Sequence, residues 1–365
     1  MQLRFEARPE PWRPAAWLAP LVASFLTVVV AGGFFWLLGR DPLQSLATFF
    51  VHPLRGPDRL AELLLKASPL MLIATGLAVG FRANVWNIGA EGQLTLGAIC
   101  AAGVALRFGD AESRLVLPAV IAAGAVGGMA WAAIPALLRT RFRASEILVS
   151  LMLVYVAALL LSWLVHGQWR DPEGFNFPQT RQFGTSALYP ILVEETRLNA
   201  SVVLSLGMVL AAAVLLDRSF LGFQARVTGL AEAAGRYAGF SAPAMVWLGM
   251  LAGGAAAGVA GAGEVAGPIG QLLPSVSPGY GFAAIIVAFV GRLHPLGIVL
   301  ASLLMSLLYL GGEAAQMELG LPSAITGLFQ GLLLFLFLGA DVLAVYRVRV
   351  VAPAPQATAA GGREP

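Results

Sequence analysis

LGFQARVTGLAEAAGRYAGFS, Leu221 to Ser241, lies between two long apolar runs and resembles neither. Arg226, Glu232 and Arg236 stand in it among alanines and glycines. The stretch is too polar to cross a bilayer and too rich in helix formers to read as a plain loop. It is expected to be helical and to rest on the inner side of a membrane bundle, where a partner could push on the spans. That reading sets the fold class: an all-α membrane protein with a polar helical segment between two groups of spans.

Composition agrees. Hydrophobic residues make up 58% of the 365, charged residues 12%, and the mean hydropathy is +0.79. Ordinary globular domains carry about 25% charge, so lipid solvates most of this chain and a soluble single-domain fold is excluded. The net charge of +3 forms no basic face, because the arginines are scattered between apolar runs. They read as topology signals, so membrane lipid is an expected partner and nucleic acid is not. Cys100 is alone inside an apolar run and reads as a small buried hydrophobe.

Runs of about 17–25 apolar residues mark membrane helices. About ten are expected: Ala16–Leu38, Leu60–Phe81, Gly89–Leu106, Leu115–Leu138, Glu146–His166, Ala200–Leu216, Ala242–Ala262, Gly279–Val290, Pro295–Gly312 and Pro322–Val345. The count falls to eight or nine if the short eighth span is misread. Residues 1–15 form a polar segment carrying Arg4, Arg8 and Arg13, residues 16–346 the transmembrane domain, and residues 347–365 a disordered tail. The positive-inside rule puts both termini in the cytoplasm, since well over half of the 23 Lys and Arg residues then fall inside. The run Arg139 to Arg143, RTRFR, is the firmest marker.

Three stretches break the pattern. Gly267–Pro278, GPIGQLLPSVSP, holds three prolines and is expected to be broken or re-entrant, packed inside protein. The longest external excursion, residues 167–199, reads equally as a solvated loop or a docking surface for an external soluble partner. The coupling loop spans residues 218–241. Gly249, Gly253 and Gly258 in the seventh span, and Gly124 with Gly128 in the fourth, permit close helix approach in lipid.

Catalytic signatures are missing. His52, His166 and His294 are far apart and form no metal-like cluster, and no nucleophile elbow occurs. Lys66 is the single lysine and sits in no G-K-[ST] motif, so ATP is not hydrolysed here by a Walker-type site. Polar residues instead gather at Phe81 to Leu96, FRANVWNIGAEGQLTL. Charge at membrane depth costs roughly 2.5–3.5 kcal/mol on insertion scales, so Asn87, Glu91 and Gln93 line a substrate path, or Asn87 caps a helix whose first turn holds Glu91, or both. Glu264 is a second carboxylate of this kind, beside the Gly/Pro-rich interruption. Paired interruptions in two related halves point to a transport path. Trp86, Tyr280 and Phe282 could stack on a flat ligand or simply pack in the core.

At these residues a family resemblance enters. GLAVGFRANVWNIGAEGQLTLGA, Gly76–Ala98, resembles the inner-membrane permeases of ABC importers for nucleosides and simple sugars, in the superfamily of ribose and branched-chain amino acid permeases. GYGFAAIIVAFVGRLHPLGIVLASLL, Gly279–Leu304, and GLPSAITGLFQGLLLF, Gly320–Phe335, resemble the later spans. The family's cytoplasmic coupling helix has a pattern similar to A-x-G-x-N-P-x-A-A-x-x-A-G-I, against VTGLAEAAGRYAGF here, Val227–Phe240. Ala231 and Glu232 stand where Asn-Pro is usual.

The resemblance implies a permease with no cofactor of its own, driven by separate ATPase subunits that hold ATP and magnesium. It assigns the ATPase contact to Gly229, Glu232, Ala234, Arg236, Tyr237 and Gly239. It further implies a second permease subunit, possibly a paralogue, an external substrate-binding lipoprotein, and a bacterial-type inner membrane. The alternative is a self-sufficient carrier or channel, coupled to an ion gradient through Glu91 and Glu264.

Overall fold

The structure is a computed structural model that describes residues 2–7, 15–109 and 111–351. Strand β1 (Gln2–Ala7) precedes α1 (Ala15–Leu37), α2 (Pro42–Leu46), α3 (Pro57–Arg82), α4 (Ala90–Phe108), α5 (Val116–Phe142) and α6 (Glu146–His166). Then come α7 (Ser201–Arg218), α8 (Phe220–Leu230), α9 (Glu232–Tyr237), α10 (Ala242–Glu264), α11 (Tyr280–Val290), α12 (Pro295–Leu319), α13 (Ala324–Val345) and strand β2 (Tyr346–Val351). All ten expected spans fall on helices. Seven of these are long and apolar enough to cross a membrane. The α4 helix is not among them, because Glu91, Gln93 and Thr95 dilute its apolarity, and the apolar stretches of α11 and α13 are short.

Local chemistry marks the helix ends. Ser145 and Ser241 cap α6 and α10, each accepting a backbone N–H three residues on. Pro295 opens α12, and Gly320 ends it with φ 64°.

The centre is α10, packed against α3, α4 and α5. Gly124 and Gly128 of α5 lie on Gly254 and Gly258 of α10, and Gly97 of α4 also meets Gly258. A Cβ at Gly128 or Gly258 would fall on the facing backbone. Lipid tails are as apolar as leucine, so helices in a bilayer gain by backbone approach and dispersion rather than by excluding water. The small-residue reading thus holds, with a definite pairing. In their spanning stretches α3 is 89% buried and α1 only 22%. The periphery is therefore α1, which pairs with α13.

Two expectations change. The chain is not wholly helical, because β1 and β2 form an antiparallel ribbon, Gln2 opposite Val351 through Ala7 opposite Tyr346. The first and last described segments consequently lie side by side. Residues 347–351 of the expected tail belong to this ribbon, whereas Arg8, Arg13 and residues 352–365 lie outside the described residues.

The proline-rich interruption is real. A short π-helix, Val265–Ile269, follows α10, and irregular chain leads to α11. The loop of residues 167–199 folds down over it. Tyr189 N–H donates to Ala266 O at 2.8 Å, Phe183 N–H to Gly270 O at 2.9 Å, and Thr180 N–H to Leu272 O at 3.1 Å. Backbone freed by a broken helix must find partners inside protein, and this loop supplies them.

Candidate functional site

The turn between α3 and α4 carries the first group of candidates. Asn84, at φ 56°, accepts the Trp86 indole N–H at 2.9 Å. Asn87 and Gln93 are each 1% exposed and donate to one another's amide oxygens at 2.8 and 3.0 Å. The Asn87 oxygen also accepts the Gly89 N–H at 3.1 Å. Buried amides need such partners, and this pair finds them in a clasp against Gly253 of α10.

Glu91 lies in the first turn of α4, as expected, but Asn87 is not the cap. The cap position of α4 belongs to Gly89, which makes no side-chain cap. The Glu91 carboxylate instead accepts the Gly281 N–H at 2.6 Å and contacts Ser277 and the Gly279 backbone. Ser277 Oγ accepts the N–H groups of Gly279 and Tyr280 at 3.1 and 3.0 Å. The open N-terminus of α11 is thus closed by a carboxylate from another helix, where the helix dipole favours negative charge. Gly281 allows the approach, since a Cβ there would strike Ala90 and Glu91 backbone.

The three aromatic candidates do not share a platform. Trp86 stacks with Phe289 at a centroid distance of 5.7 Å and meets Phe81 tilted at 5.4 Å. Tyr280, 3% exposed, meets Tyr309 edge-on at 5.4 Å. Tyr280 and Phe289 sit nine residues apart on α11, about 14 Å along the axis at 1.5 Å per residue. Phe282 is 40% exposed on the surface.

Glu264 ends α10, buried, with Lys66 and Arg197 as its charged neighbours. Both cations are also engaged elsewhere. Lys66 pairs with Glu313 at 2.8 Å, and Arg197 grips both oxygens of Glu62 at 2.8 Å. Beside this cluster, α12 and α13 enclose a cavity of about 380 Å³ lined by Tyr309, Glu313, Gln316, Ser323, Thr326 and Gln330. Sequence reading picked none of these six. The available signal was Lys66, the chain's single lysine in an apolar run, which needs a buried or bordering acid.

On the opposite side, α8 and α9 meet at Ala231, whose backbone is extended. Ala231 occupies the N-cap of α9 without a side-chain cap, and Glu232 takes the next position. Those are the two sites where Asn-Pro was noted as usual, which suits a cap followed by the first helical residue. Gly229 rests on the end of α3, where a Cβ would strike Arg82 and Ala83 backbone. Glu232, Ala234, Arg236, Tyr237 and Gly239 are exposed, Tyr237 fully so.

Sequence reading missed the hub beneath them. Arg82 pairs with Asp217 at 2.8 Å and donates twice to Leu293 O, at 2.8 and 3.2 Å. It thereby holds the turn between α11 and α12, where Arg292 and Leu293 both have positive φ. Asp217 also faces Arg226 of α8 at 3.5 Å. One guanidinium ties together α3, α7 and the turn that joins α11 to α12.

Comparison with known proteins agrees with this architecture. The family described as branched-chain amino acid transport system, permease component, matches residues 59–338. The glucose ABC transporter permease protein of Haloferax volcanii is 33% identical, over 92% of this chain and 91% of its own length. The guanosine permease protein of Bacillus subtilis is 30% identical over 84% and 89%, and a nucleoside permease protein of Lactococcus lactis 27% over 87% and 89%. No solved structure matches the chain. A match spanning α3 to α13, with relatives aligned almost end to end, means that the chain belongs to the branched-chain amino acid transport system permease family.

Proposed function

We propose that this chain is the membrane permease of an ATP-driven importer that takes up a nucleoside or a simple sugar, and that α8–α9 is its coupling element. The observation that carries the coupling role is the seating of Gly229 on the end of α3, beside Arg82. Force applied to α8 reaches α3 by backbone contact. Through Arg82 it also reaches the turn at Leu293, which leads into α11 and α12. An element with rigid contacts on one side and exposed Leu230 and Tyr237 on the other suits a docking ATPase.

In this reading the chain crosses an inner membrane ten times in two related halves, both termini are cytoplasmic, and Gly267–Pro278 is re-entrant. ATP and magnesium stay in the partner ATPase. A second permease subunit, possibly a paralogue, completes the path, and an external lipoprotein delivers the solute. The substrate class is that for which the relatives are named: glucose, guanosine and nucleosides. Transport needs a cavity whose affinity differs between two states of the bundle, and ATP binding in the partner would switch them.

Ion coupling has less to work with. Glu91 is committed to the N-terminus of α11, and Glu264 lies among cations already paired with other acids.

Reconstitution of the chain with its ATPase, second permease and substrate-binding partners tests the reading. Labelled guanosine or glucose should enter proteoliposomes only with ATP, and Tyr237→Ala should weaken ATPase binding about thirtyfold, the scale of an interface hot spot. Uptake by this chain alone under a proton or sodium gradient would overturn it.

A further inference from the structure

We propose that a cavity between the end of α4 and the loop of residues 167–199 seats the phosphate of an anionic phospholipid headgroup, held by Arg107 and Arg170. The proposal needs only a chain that lies in a membrane, and neither the importer's cargo nor its motor enters it.

Three pieces of chain build this cavity of about 410 Å³. The last turn of α4 contributes Arg107, the chain leaving α6 contributes Trp169, Arg170 and Asp171, and the returning loop contributes Arg181. Hydrogen bonds hold the pieces in place. Trp169 N–H donates to Leu164 O at 3.0 Å and Arg170 N–H to Gly167 O at 3.3 Å, which fixes the loop to the end of α6. The Arg181 guanidinium donates to Leu106 O and ties the returning chain to α4. The Trp169 ring lies over Gly103, where a Cβ would stand 3.2 Å from it, and forms an apolar wall.

The charge of the lining is uneven. Three arginines face one aspartate, and that aspartate already accepts the Glu173 N–H at 3.1 Å. Arg107 and Arg170 make no ion pair with any described residue; Arg107 approaches only the Phe108 ring, at 5.9 Å. In the proposed topology this end of the bundle is external, where arginines are disfavoured. Two guanidinium groups on separate segments, both without a carboxylate, suit the oxygens of one phosphate.

Position selects a lipid as the source of that phosphate. The α6 helix is only 28% buried over its spanning stretch, so lipid lies alongside the cavity. Exposed aromatic rings mark the headgroup level around it: Trp163 in the last turn of α6, and Phe108 ending α4. Asp171 also opens a turn closed by its own N–H donating to Gln179 O at 2.8 Å, and this turn leaves Phe175 and Phe177 exposed. Apolar rings beside paired cations match a surface of acyl chains under anionic headgroups. A free anion would meet the arginines and leave those rings in water.

The test is native mass spectrometry of the full chain in a maltoside detergent, with phosphatidylglycerol, phosphatidylcholine or inorganic phosphate added. Arg107→Gln or Arg170→Gln should weaken the tightest phosphatidylglycerol site about fivefold, and the double variant about thirtyfold. Phosphatidylcholine and inorganic phosphate should bind more weakly than phosphatidylglycerol. Arg55→Gln, at an exposed arginine outside the lining, should leave the affinity unchanged. Unchanged affinity in the double variant overturns the proposal, as does an equal loss in Arg55→Gln. Inorganic phosphate bound as tightly as the lipid would overturn it in favour of a free-anion site. A double variant that keeps its lipid but loses the external binding protein would overturn it in favour of a protein-docking site. A double variant that melts lower without lipid and still binds phosphatidylglycerol as tightly would show the two arginines to be structural only.

Discussion

The two large excursions from the bundle use their residues in opposite ways. On one side, the middle of the loop of residues 167–199 turns inward: Phe183, Ala187 and Tyr189 are buried, and the backbone of Thr180, Phe183 and Tyr189 closes over the interrupted segment after α10, while Phe175 and Ile191 stay exposed. On the other, the α8–α9 segment turns its apolar residues out, with Leu230 at 82% and Tyr237 at 97% exposure. Phe220, Phe223 and Phe240 cluster beside them with centroids about 6 Å apart. The first excursion satisfies the membrane domain's own broken backbone. The second leaves surface for something else to cover. Mixed charge therefore says little about whether a loop is free, whereas the destination of its backbone hydrogen bonds says a great deal.

The largest effect expected from breaking this contrast is at Gly229. Gly229→Leu forces a side chain into the Arg82–Ala83 backbone, and overpacking of this kind costs about 1–3 kcal/mol or more. Thermal melting in detergent should show the loss, and ATP-driven uptake should vanish. A wild-type melting point would mean that α8 is not seated on α3.

A smaller effect is expected on the other side. Thr180 Oγ1 accepts the Leu272 N–H at 3.0 Å, so Thr180→Val leaves that buried group unpaired, at about 1–3 kcal/mol. Proteolysis of the loop should accelerate. If protease sensitivity does not change, the loop does not clamp the interruption.

The smallest change is a gain. Ala231→Asn would supply the missing cap of α9 and stabilise it by about 0.5–2 kcal/mol. Amide exchange in residues 232–237 should slow, while exchange in α10 stays the same. Equal exchange in both proteins would show that Ala231 is not the cap.

Much of the fold was legible because it is local. Long apolar runs become helices wherever they lie, and Gly124 and Gly128 announce a close crossing without naming the partner. The polar segment at Leu221–Ser241 was read as helical but not as two helices, because the break at Ala231 has no Gly or Pro to signal it. The site was less legible. Asn87, Glu91, Gln93, Glu264 and Tyr280 were singled out for being polar or aromatic beside an interruption; Glu264 is buried near Lys66 and Arg197, and each of the others has a hydrogen-bond or ring partner. Trp86 packs among aromatic rings, the core alternative, and Phe282 is on the surface; Arg82 was read only as one of a polar cluster, and Asp217 and the cavity on α12 and α13 were missed.

By itself, then, the sequence determined which segments are helical, which are too polar to cross, and the absence of a Walker motif, since each follows from neighbours along the chain. Tertiary structure alone decided that Glu91 closes α11, 190 residues away, and that Arg82 holds Leu293, 211 residues away. Partners at such separations are chosen by which helices pack together. In lipid, that choice is made by small-residue contacts summed over the whole bundle rather than by any one stretch of chain.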